Sequence, residues 1–124
     1  MQVIGKIQIV KNGIIKKVDR VAGKGHEKYA KMFAKTLVDI LEENGFKLID
    51  SFTLGEISSS IYEYYIDENT SIIGIVRVGK DIIPNEETVY DLNDGEQWDA
   101  GIDNFRYAIE ECIESLRKNN NIIE

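Results

Sequence analysis

Residues 3–10, Val-Ile-Gly-Lys-Ile-Gln-Ile-Val, set Gly5, Ile7 and Ile9 against Lys6, Gln8 and Val10, the period-two pattern of a strand with one buried face. Lys11-Asn12-Gly13 follows, and Asn-Gly supplies the positive φ angles of a tight hairpin turn. The return strand is expected near Ile14 to Ala22, with Lys16, Lys17 and Arg20 for its wet side, until Gly23-Lys24-Gly25 breaks it. From His26 to Asn44 the period changes. Tyr29, Phe33, Leu37, Ile40 and Leu41 form one apolar stripe of a helix. Gly45 ends it as a left-handed residue, with Phe46 placed to pack back on the last turn.

Period two resumes at Phe46, Leu48, Phe52 and Leu54, with Asp50 interrupting the apolar side. A long strand over Glu56 to Ile66 then pairs across Asp67-Glu68-Asn69-Thr70 with Ser71 to Val78. Pro84 marks a loop, and Val89-Tyr90-Asp91-Leu92 reads as a short edge strand. Asp94-Gly95-Glu96-Gln97 is a capping-box pattern in which Asp94 accepts from free amides and Gln97 reaches back. Behind it Trp98, Ile102, Phe105, Ile109, Cys112, Ile113 and Leu116 make a continuous helical stripe, which Asn119-Asn120-Asn121 is expected to end. The order ββαβββ(β)α predicts an α+β fold: a two-layer sandwich of a mostly antiparallel sheet of five or six strands with two helices on one face. The other face is expected to carry Ser58, Ser60, Tyr62 and Tyr64 or their alternates. The 124 residues are read as one domain, 1–124, with residues 119–124 as a frayed tail.

Composition narrows the class. A chain of this size buries roughly two-thirds of its unfolded surface, so its core needs no metal or disulfide. No apolar run approaches the ~18 residues of a membrane span, and the first residues lack the pattern of a signal peptide. A single cysteine fits a reducing, cytoplasmic setting. Isoleucine is the commonest residue, at 20 copies, and with abundant Lys and Asn this suggests AT-rich coding of bacterial or phage type.

The net charge of −7 conceals a gradient. Residues 1–35 hold nine Lys/Arg against two carboxylates, whereas residues 81–124 hold three against twelve. Between Lys80 and Arg106 there is no basic side chain at all. Such a surface repels nucleic acid and anionic membrane and attracts cationic partners, an attraction that salt weakens.

The candidate chemistries are few. His26 is the only histidine, at the first turn of a helix where a local cap is the commoner role. Cys112 lies on an apolar stripe with no cation beside it in sequence and reads as inert. Glu27, Asp50 and Glu56 have part of the order of a metal nuclease, but the Glu-x-Lys strand is missing from Ile75-Val76-Arg77-Val78. Ser58-Ser59-Ser60 lacks the context of a hydrolase elbow, and the tyrosines of the same strand, Tyr62, Tyr64 and Tyr65, fit β-propensity and interface anchoring equally. No nucleophile-base pair or metal-ligand set can be assembled, so neither an enzyme nor a cofactor is expected.

Two readings remain. The first is a non-enzymatic interaction protein of the inhibitor, immunity or adaptor type. Its acidic C-terminal face (Glu86, Glu87, Asp91, Asp94, Glu96, Asp99 and Asp103, with Trp98 as an anchor) would meet a basic protein surface. The second is a ligand-binding module. There Gly23, Lys24, Gly25, His26 and Lys28 would hold a phosphate-bearing molecule such as a nucleotide at the strand-to-helix turn, and Tyr29 would stack on its base. Nucleic acid and membrane are not expected partners; a homo-oligomer is.

Overall fold

The computed structural model describes residues 1–85 and 88–123, with side chains through Lys118. Alternation over the first 24 residues gives β1 (Gln2–Lys11) and β2 (Ile14–Lys24), joined at Asn12 and Gly13 with φ of 54° and 76°. The helical stripe becomes α1 (Glu27–Glu43). Its end is closed by two backbone bonds: Gly45, at φ 90°, donates to the Glu42 carbonyl and Phe46 to that of Leu41, both at 3.0 Å. These are the two bonds of a Schellman stop, and Phe46 is buried beneath them. β3 (Lys47–Leu54), β4 (Ile57–Asp67) and β5 (Thr70–Gly79) follow as a meander, then β6 (Val89–Asp91) and α2 (Gly95–Ile123). The last helix continues through Asn119-Asn120-Asn121, beyond its expected end.

The sheet order is β3-β4-β5-β1-β2-β6, antiparallel except for β6, which runs parallel to β2. The expected α+β sandwich is therefore the observed one. α1 lies against β1 and β5, and α2 against β2, β1 and β6. The buried residues of β1, Val3, Gly5, Ile7 and Ile9, face both helices and meet Phe33, Leu37, Leu41, Phe105 and Ile109 in one core. Directly opposed residues share a face, so register carries this assignment across the sheet. Tyr62 stands opposite Gly74 on the helix side, which leaves Ser59, Ile61, Glu63 and Tyr65 as the open-face set of β4.

β2 runs on to Lys24, past the break expected at Gly23, and two further details differ from the sequence pattern. β3 was expected to bury an apolar side, but all eight of its residues are exposed, Leu54 at 75%. It is an edge strand with a bulge between Leu48 and Asp50, so its period-two pattern is broken at Ile49. Gln97 reaches back further than a capping box requires, its Oε1 accepting from the Asp91 amide at 2.8 Å.

Among the described residues no helix is long and apolar enough to cross a membrane.

Candidate functional site

Both sets of residues singled out in the sequence come to one end of the sheet. β2 ends at Lys24, and its neighbour β6 ends at Asp91, the residue opposite. Beyond them each chain segment turns into a helix, so the β2–α1 and β6–α2 turns sit side by side. Between them lies a cleft of about 610 Å³, lined by Lys24, His26, Glu27, Val89, Tyr90 and Asp91 among others.

The β2–α1 turn is occupied by the protein itself. The Gly25 amide donates to the Met1 carbonyl at 3.0 Å, the His26 amide to Asn93 Oδ1 at 3.0 Å, and the Lys24 carbonyl accepts from Leu92 at 2.8 Å. A Cβ on Gly23 would lie 2.6 Å from Leu92 Cδ2, and one on Gly25 2.9 Å from Leu92 Cβ and Asn93 Oδ1. The glycines thus let the β6–α2 turn approach, and the amides of Gly25 and His26 do not face a ligand. This corrects the expectation of an amide cradle for phosphate. His26 stands at the cap position of α1 but its side chain makes no capping bond. Lys28 and Tyr29 are exposed on α1 and do not line the cleft, the Tyr29 ring tilted 6.2 Å from that of His26. Glu27 pairs with Lys31 at 2.8 Å, and the hydrogen bond and charge of that ammonium hold its carboxyl below the ordinary value.

The β6–α2 turn is a knot of local bonds. Asp91 Oδ1 accepts from Asn93 at 2.9 Å and Asp94 Oδ1 from Glu96 at 3.0 Å, while the Asp94 carbonyl accepts the first helical bond, from Trp98 at 2.9 Å. Asp94 is therefore a true N-cap. From it Glu96, Asp99 and Asp103 project along the solvent side of α2, and all of them, with Asp91, are exposed. Among the described residues none of these five carboxylates is in an ion pair. Elsewhere some carboxylates are paired, Glu27 with Lys31, Asp39 with Lys35, Glu43 with Arg106, Glu56 with Lys80, and both Asp19 and Glu111 with Lys17, and others, such as Glu42 and Glu110, are exposed on the helices. Glu86 and Glu87 lie outside the described residues.

Trp98 is half-buried, its ring centroid 5.0 Å from that of Phe33 at 81°, an edge-to-face contact that fastens the start of α2 to α1. Tyr90 is fixed from the other side by a hydrogen bond from the Asn104 amide to its hydroxyl.

Comparison with known proteins finds no matching family model, curated sequence or solved structure. Cys112 is 1% exposed and burial pushes its thiol up, with Lys17 pulling the other way. Among the described residues no group of three or more His, Cys, Asp or Glu is placed to hold a metal ion.

A second cleft, of about 810 Å³, lies between the end of α1 and α2, where Arg117 donates to the Tyr64 hydroxyl at 2.8 Å. It joins residues more than 50 positions apart, and no local pattern in the sequence announces it.

Proposed function

We propose that this chain is a non-enzymatic interaction protein of the inhibitor, immunity or adaptor type, which offers the acidic surface from Asp91 to Asp103 to a basic partner. One observation carries the reading: among the described residues, five exposed carboxylates without an ion pair gather on one turn and helix start, in a stretch with no basic side chain between Lys80 and Arg106. Asp91 and Asp94, held by hydrogen bonds from the turn, lose little freedom when a cation docks, and the combined field of all five speeds its approach. A single buried cysteine suits a cytoplasmic site of action.

The test uses an oligo-arginine peptide as probe at low salt. Glu96→Lys, Asp99→Lys and Asp103→Lys are combined, leaving the Asp94 cap intact. A control combines Glu42→Lys, Glu68→Lys and Glu110→Lys, which changes net charge equally at other exposed sites. The α2 triple variant is expected to weaken binding at least about tenfold, in line with a loss of ~1.4 kcal/mol, and the control far less. Equal effects of the two would reject the assigned surface.

The phosphate reading retains Lys24 and the cleft itself. A titration with nucleotides checks it: heat that vanishes in Lys24→Ala would favour this reading over the first.

A further inference from the structure

The sheet face turned away from both helices carries an aliphatic cluster among its polar side chains. Ile61, Ile75 and Lys6 stand side by side across β4, β5 and β1, and in the next row Ile73 lies between Glu63 and Gln8. These isoleucines, with Ile4 and Val10, are partly exposed, while the alternate residues of β1, and Ile72, Gly74 and Val76 of β5, are buried under the helices. Antiparallel sheets with one wet face ordinarily alternate apolar inside and polar outside. Here the centre of the outer face is aliphatic as well. We propose that a second copy of this chain covers it, making a two-fold dimer layered helix–sheet–sheet–helix.

Size and charge both point to that occupant. Residues 81–83 cover one end of the face, where Gln2 Oε1 accepts from the Ile82 and Ile83 amides and Ala22 and Ser59 are buried. Beyond it, five strands at ~4.8 Å spacing with about six shared residues at ~3.3 Å rise present roughly 500 Å² in projection. The side chains standing on it raise the accessible area toward the ~800 Å² per partner of a standard interface.

The face is also self-complementary. Asp50 and Glu63 lie in its β3–β4 half, Lys6 and Arg20 in its β1–β2 half. A two-fold axis parallel to the strands, between β5 and β1, places β4 of one copy over β2 of the other and turns each acidic half toward the other's basic half. Lys6 and Arg20 already interact within the chain, so the match is one of fields and not of new ion pairs. Lys47, opposite Glu63, and Arg77 on β5 keep the face from being acidic. The acidic surface of α2 lies in the outer layer of such a dimer, so the net charge of −7 does not hold two copies apart.

Sedimentation velocity on the purified chain is expected to show twice the chain mass. Ile73→Lys, at the centre of the face, is expected to sediment as a monomer with unchanged circular dichroism. Met32→Lys, on the exposed side of α1 in the outer layer, is expected to remain a dimer. A second measurement does not depend on a destabilising charge: because Cys112 is buried, Gln8→Cys supplies the reactive thiol, and a short bismaleimide is expected to join two copies through it. Glu114→Cys on α2 serves as control and is expected not to cross-link. A wild-type monomer, a dimer that persists in Ile73→Lys, or cross-linking through Glu114→Cys and not Gln8→Cys would each overturn the proposal.

Discussion

Two small residues show how tightly the interior is specified, and they act with opposite sign. Gly5 sits at the centre of the sheet where both helices converge: a Cβ there would lie 2.7 Å from Leu37 Cδ1 and 2.8 Å from Phe105 Cε1. Leu37 and Phe105 are themselves fully enclosed, so neither can withdraw. Gly5→Ala is expected to cost about 1–3 kcal/mol, the usual penalty of overpacking, despite the strand propensity it gains. Thermal unfolding reads this directly. Thr70 is the converse case. Its Oγ1 is buried at the start of β5 and has no hydrogen-bond partner among the described residues. Thr70→Val keeps the shape and removes the unsatisfied hydroxyl, so stability should hold or rise by up to ~1 kcal/mol. A loss in urea unfolding would show that the hydroxyl has a partner after all.

At the scale of elements, the two helix starts differ in kind. α2 opens on a side-chain cap at Asp94, backed by Gln97 and Asp91, whereas α1 opens on His26 with no side-chain cap and depends on Asn93 from the neighbouring turn. Asp94→Ala is expected to lower stability by about 1 kcal/mol and to speed hydrogen exchange at the Glu96 amide.

Local patterns made most of these elements legible. The Asn12-Gly13 turn, the Gly45 stop and the Asp94 cap each depend on chemistry within a few residues, and each is found where its residues announce it. What was not legible depends on neighbours far away in sequence. The exposure of β3 follows from its place at the sheet edge, and the meaning of Gly23 and Gly25 follows from Leu92 and Asn93 packing against them. A glycine pair before a helix looks the same whether it makes room for a phosphate or for another loop.

On the scale of the whole molecule, the charge gradient along the chain does not become a simple division in space. Much of the basic N-terminal segment is countered locally, Lys17 by Asp19 and Glu111, Lys31 by Glu27 and Lys35 by Asp39. The acidic C-terminal segment instead concentrates at one end, around β6 and the start of α2. The candidate site was thus half-visible in sequence: the carboxylates stood out by composition. Their adjacency to Lys24 and His26 needed the parallel pairing of β6 with β2, which bridges more than 60 residues.

The same long bridges govern how the chain comes into being. β1 occupies the middle of the sheet, yet only its β2 edge is satisfied early; its other edge is completed by β5, with Gln2 meeting Gly79 and Lys11 meeting Thr70. At a synthesis rate of ~5–20 residues per second, the interval between the emergence of β1 and of β5 is on the order of 3–14 seconds. Throughout that time a strand built largely of isoleucine and valine carries a bare hydrogen-bonding edge. Gly5, Lys6 and Gln8 interrupt its aliphatic run in just the manner of gatekeepers. Polar residues such as Lys6 and Gln8 lower the tendency of an unpaired aliphatic strand to associate with other chains before its second edge is paired.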